Sequence, residues 1–166
     1  MTRSAALKEF LQSISFRELT LSIDLLVSTY IGYFYLKNVF SASSEQLASP
    51  VWLSELLLQV IIYSIVLMVI SYIVLAFISD DELEQPLDVR EKQISLVGYK
   101  YTTYILQTGI CIAIFQYQAH AQGFGPSIEY NIPFLPLHIM VCAFLLAEIT
   151  NYATQLYKGR TGAIYG

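Results

Sequence analysis

Four apolar runs set the pattern of the chain, over residues 19–38, 53–78, 94–117 and 136–157. Each holds about 20 residues or more, the length at which a helix rising about 1.5 Å per residue crosses a bilayer core. A strand would be far shorter, so length decides for helix. The pattern predicts an all-α polytopic membrane protein with four transmembrane helices, forming a single membrane domain over 1–166. Ahead of the first run, Leu7, Phe10, Leu11 and Ile14 recur at i, i+3, i+4 and i+7, with Arg3, Lys8, Glu9 and Gln12 opposite. That spacing predicts an N-terminal amphipathic helix over 2–14, lying in the membrane interface.

Polar punctuation places the helix ends. Ser15 is spaced to cap the amide of Glu18 while Glu18 reaches back, with Ile14 and Leu19 as a hydrophobic staple. Asp88 and Glu91 repeat the capping pattern, and Pro86 just upstream prevents the second helix from continuing. Pro136 suits a first turn, while residues 39–50 and 118–135 read as loops. Trp52 stands where an interfacial aromatic belongs. The small residues Ser41, Ala42 and Ser43 resemble a signal-peptide cleavage site. The run before them exceeds an h-region of about 7–15 residues and carries Asp24 and several tyrosines, so it reads as a retained span.

Composition agrees with this pattern. Hydrophobic residues make up 55% of 166 and charged residues 13%, more apolar surface than so small a soluble globule can hide. The net charge of −4 argues against nucleic acid, which needs a basic face. Cys111 and Cys142 fall inside apolar runs without ligand spacing and read as small buried hydrophobes. Counting Lys and Arg alone, Arg3, Lys8, Arg17, Arg90, Lys92, Lys158 and Arg160 lie on one side of the membrane against Lys37 on the other. Both termini are therefore expected in the cytoplasm.

The candidate chemistry lies in three ionisable residues inside the runs, Asp24, Lys100 and Glu148. Such groups are costly in lipid and carry a functional hypothesis by default. By helical rise they sit about 7, 9 and 13 Å in from the same boundary, so a shared intramembrane polar cluster is expected, with Lys100 between two acids. Stripes of Thr20, Asp24, Ser28 and Gly32, of Lys100, Tyr104, Gln107 and Cys111, and of Glu148, Asn151, Tyr152 and Gln155 predict three polar faces meeting inside the bundle. Ser64 and Ser71 of the second run are available for helix packing. At the other end Glu55, Gln59, His120 and His138 lack ligand-spaced companions, so no metal, haem or other cofactor is expected and the histidines read as interfacial. No hydrolase, metalloprotease or phosphate-loop motif occurs, and the expectation is a protein that is not an enzyme.

Residues 79–93 form the one sizeable charged block, expected as a cytoplasmic loop. Caps, a proline stop and topology account for much of it, which leaves Asp80, Asp81, Glu82 and Glu84 as a candidate surface for docking a partner.

The Asp81 and Glu82 pair after the second run, the basic entry at Arg90 and Lys92, and the ending from Ala147 and Glu148 through Tyr152 and Tyr157 to Lys158 and Arg160 resemble a group of small uncharacterised four-helix bacterial inner-membrane proteins. The resemblance implies a bacterial inner (cytoplasmic) membrane location and supplies no activity. The expected role is an accessory, assembly or regulatory component of a membrane complex, with a membrane protein or further copies of itself as partner. The alternative is a small oligomeric proton- or cation-coupled transporter using Asp24, Lys100 and Glu148.

Overall fold

The computed structural model of the chain describes residues 15–78, 87–123 and 132–162. The expected interfacial helix over 2–14, the staple residue Ile14 and the acids Asp80, Asp81, Glu82 and Glu84 lie outside the described residues. Within them every regular element is a helix: α1 Phe16–Ser41, α2 Ser44–Ala48, α3 Pro50–Ile78, α4 Val89–Ala121 and α5 Leu135–Thr161. The long helices extend a few residues past the apolar runs, because their caps are in the polar flanks.

The Ser15 hydroxyl accepts the amide of Glu18 at 3.2 Å and starts α1. The Glu18 carboxylate does not close the expected reciprocal box; it pairs with the Arg160 guanidinium at the end of α5. At α4 the box is complete: Asp88 caps the first turn, and Glu91 accepts from the Asp88 amide at 3.1 Å. The segment read as a loop over 39–50 contains the single turn α2, held by a second box in which Ser43 and Gln46 serve each other. Phe134, at φ 55°, occupies the N-cap of α5 in the left-handed region. Pro136 follows in the first turn, where a missing N–H costs little. Gly162 ends α5 at φ 71°, where a residue without Cβ avoids the left-handed penalty.

The helices alternate in direction, which defines two ends. Arg17, Arg90 and Arg160 gather at the charged end, where Arg17 faces Glu91 at 3.8 Å and Arg90 donates to the Gly159 carbonyl at 3.2 Å. Tyr35 of α1 and His138 of α5 meet towards the far end. Helix α1 is central, packing α3 on one side and α5 on another, and α4 lies along the outer flank of α5. The core joins Val27, Ile31 and Tyr35 of α1 to Leu56 and Val60 of α3 and Leu145 of α5.

Helices α4 and α5 are antiparallel and closely fitted. Going down the pair, Arg90 meets Gly159, Gly98 meets Asn151 and Gln155, Thr102 meets the Ala147 carbonyl at 3.4 Å, and Gly109 meets Ala143. The face α4 turns to α5 is thus Ile94, Gly98, Thr102, Gly109 and Ala113, small enough for backbones to approach. This corrects the expected stripe: Lys100, Tyr104, Gln107 and Cys111 are all exposed, on the side of α4 away from α5. Cys111 and Cys142 are likewise exposed instead of buried.

Three helices, α1, Pro50–Phe77 of α3, and α5, are long and apolar enough to cross a membrane. Helix α3 presents Ile61, Ile65, Val66, Val69, Ile73 and Phe77 outward, the composition of a lipid-facing helix. Helix α4 is longer than any of them, but Lys100, Thr102, Thr103, Gln107 and Thr108 lower its apolarity.

Candidate functional site

Asp24 is the point around which the polar interior is arranged. It sits two turns into α1 on the buried stripe that continues through Val27, Ile31 and Tyr35, and it is 5% exposed. Burial of a carboxylate at this depth needs partners. One is the Tyr72 hydroxyl of α3, which donates to Oδ2 at 3.5 Å. Among the described residues Oδ1 has no hydrogen-bond partner. From α5, the half-buried Glu148 stands close enough to act on Asp24 through its charge, and Tyr152 stands beside Glu148. The Tyr72 phenol is thus the group bonded to Asp24, while Glu148 acts on it through charge alone.

Lys100 does not join them. It is exposed on α4, forms no ion pair among the described residues, and holds its ammonium 5.8 Å from the centre of the Tyr104 ring. The expected three-residue cluster is thus not formed, since Lys100 stands apart from the two acids. The reason is the register of α4: its small residues pack on α5, which rotates Lys100 to the far side. The stripe Glu148, Asn151, Tyr152 and Gln155 does face inward as read.

Toward the charged end, a line of hydrogen bonds continues from this interior. Gln155 donates to Asn151 Oδ1 at 3.0 Å, Arg17 donates to Gln155 Oε1 at 3.0 Å, and Arg17 faces Glu91. Above it opens a cleft of about 720 Å³ lined by residues that include Arg17, Glu18, Thr20, Tyr72, Arg90 and Arg160. The cleft reaches Thr20, one turn from Asp24, and Tyr72, the donor to Asp24. Its lining includes neither Asp24 nor Glu148, so the cleft stops short of the buried acid.

The far end holds a second buried polar contact. His138 is 6% exposed and its Nδ1 lies 2.6 Å from the Tyr35 hydroxyl, which is itself fully enclosed. His138 is therefore an interior residue and not an interfacial one. His120 is exposed in the last turn of α4, and Glu55 and Gln59 are exposed on α3. Among the described residues no three His, Cys, Asp or Glu side chains gather as a metal site.

Tyr72 and Tyr35 are the participants that sequence reading missed. Each is one tyrosine among 13, and the period of an apolar run does not reveal which tyrosine faces an acid or a histidine. No family model, curated protein or solved structure matches the chain.

Proposed function

We propose that the chain is a non-enzymatic four-span component of a membrane assembly, whose outward α4 face is covered by a helix of a membrane partner. The observation that carries this is the orientation of α4. Lys100, Thr103, Tyr104 and Gln107 point away from their own bundle at a level where α1, α3 and α5 are apolar enough to meet lipid. Polar side chains facing hydrocarbon are costly, and interhelical hydrogen bonds are their ordinary remedy. The partner helix is expected to offer carboxylate or carbonyl acceptors, which would suit Lys100 and Gln107.

Packing supports the four-span reading more than apolarity does. Helix α4 stays against α5 from Arg90 and Gly159 to Gly109 and Ala143, so wherever α5 crosses the bilayer α4 is carried with it. The basic residues at the charged end support a cytoplasmic side for that end and for both termini. The motif resemblance of the second half favours a bacterial inner membrane.

The test is a photo-crosslinking amino acid placed at Tyr104 and Gln107, with Val66 of α3 as the lipid-facing control, followed by mild-detergent purification and mass spectrometry. A reproducible stoichiometric adduct from the α4 positions and none from Val66 is expected. Equal lipid-only labelling at all three sites excludes the reading, and a self-adduct makes the partner a second copy. Changing Asp80, Asp81, Glu82 and Glu84 together to Asn and Gln asks whether the acidic block adds to that docking.

A second reading, a small proton- or cation-coupled transporter, now rests on Asp24 and Glu148 without Lys100. It expects Asp24→Asn and Glu148→Gln to abolish coupled flux in proteoliposomes. Undiminished flux in both variants excludes it.

A further inference from the structure

We infer that the cleft at the charged end is a binding site for an anionic phospholipid, with the phosphate among Arg17, Arg90 and Arg160 and the apolar part of the lipid on the residues beneath them. This goes beyond the assembly role and requires only that the helices cross a membrane.

Three helices each bring one arginine to the cleft: Arg17 near the start of α1, Arg90 near the start of α4 and Arg160 near the end of α5. On each helix the residue four positions deeper also lines it, Leu21 below Arg17, Ile94 below Arg90 and Leu156 below Arg160. Residues four apart share a helix face and differ in level by about 6 Å, so the lining has a guanidinium tier above an apolar tier. A phospholipid at the membrane surface has the same order, with a charged phosphate above its acyl chains. A soluble phosphate compound would have no use for the lower tier. The volume of about 720 Å³ suits a small-molecule site.

The electrostatics suit an anion even though three acids, Glu18, Asp88 and Glu91, belong to the same lining. Asp88 accepts the Val89 amide at 2.6 Å, Glu91 accepts the Asp88 amide at 3.1 Å, and Glu18 pairs with Arg160. Their oxygens are thus directed to helix amides and to a guanidinium. Arg17 is oriented by its Nη2 bond to Gln155, and Arg90 by its Nη2 bond to the Gly159 carbonyl. A guanidinium carries five N–H groups, so such a bond sets its direction and leaves donors for the paired oxygens of a phosphate. Helices α1 and α4 also begin at the cleft, with Ser15 and Asp88 in its lining, and a helix start favours negative charge. Basic pockets between helices at the membrane surface bind anionic headgroups for these reasons.

Native mass spectrometry of the full-length protein released from detergent, after titration with phosphatidylglycerol or phosphatidylcholine, counts the bound lipid. One phosphatidylglycerol per chain is expected, retained about tenfold better than phosphatidylcholine, the ratio that one charge-assisted contact produces. Arg90→Gln and Arg160→Gln, both at exposed positions, should each weaken retention by about tenfold. Lys92→Gln, which removes an exposed cation of α4 outside the lining, should not. Equal retention of the two lipids, or an equal loss in all three variants, overturns the proposal. Glycerol phosphate retained as well as the lipid overturns it in favour of a soluble phosphate compound. A wild type that holds no phosphatidylglycerol also overturns it, and a gain of lipid on changing Asp80, Asp81, Glu82 and Glu84 to Asn and Gln would then name the chain's own acids as the occupant.

Discussion

Gly98 and Gly109 determine how closely α4 approaches α5. A Cβ at Gly98 would run into Asn151 Oδ1 and come within 3.3 Å of the Asn151 backbone carbonyl, and one at Gly109 would run into the Ala143 Cβ. Backbone and short side chains have little freedom to yield. Gly98→Ala and Gly109→Ala should each therefore destabilise the protein by about 1–3 kcal/mol, the usual penalty of overpacking. Gly159 has nothing within 4 Å of the same position, so Gly159→Ala should leave stability unchanged or raise it by about 0.5–1 kcal/mol through helix propensity. Unfolding in detergent titrations ranks the three; equal effects would show that the close approach does not control packing. The Tyr35 and His138 contact gives a second residue-level expectation. Tyr35→Phe strips the partner from an enclosed Nδ1 and should cost about 1 kcal/mol, within the range for hydrogen bonds between membrane helices. Adding His138→Leu should restore part of that loss, because the stranded polar group is then gone.

The ends of the helices show how far local chemistry fixes an element. The Asp88 and Glu91 box acts within one turn and is visible in the spacing of the two residues. Asp88→Ala should cost about 1 kcal/mol and speed hydrogen exchange at the first amides of α4 only. Glu18 shows the limit of such reasoning. It has the right spacing from Ser15, but the Arg160 guanidinium competes for it from 142 positions away. That ion pair is largely solvent-facing on the arginine side, so Glu18→Gln should cost no more than about 1 kcal/mol, and less at high salt. A charge-swapped pair, Glu18→Arg with Arg160→Glu, should recover most of it. Helix α4 is the element whose orientation sequence alone misjudged. Polar periodicity identified a face but not its direction, and the small residues on the opposite side decided which face meets α5.

At the scale of the whole molecule, the chain crosses from end to end with each long helix, and each loop should report a side. After Cys111 and Cys142 are changed to Ser, single cysteines at Ser43, Leu87, Gln122 and Thr161, all exposed, can be probed with an impermeant maleimide. Four spans place Leu87 and Thr161 on one side and Ser43 and Gln122 on the other. Labelling of Leu87 and Gln122 from the same side would mean that α4 does not cross. The linear order of helices is not their spatial order: α4 packs chiefly on α5 and α5 on α1, so Lys100, the lysine nearest Asp24 in depth, lies apart from it.

The sequence by itself determined that the chain is helical, how many long helices it has, where their caps fall, and which few charged residues lie among apolar ones. Those features depend on neighbours within about one turn, or on the length of an apolar run, and both are local. Tertiary structure decided what Asp24 meets. Choosing Tyr72, Glu148 and Tyr152 over Lys100 depends on the rotation of each helix about its own axis. That rotation is set by Gly98 and Gly109 against Asn151 and Ala143, residues more than 30 positions apart along the chain.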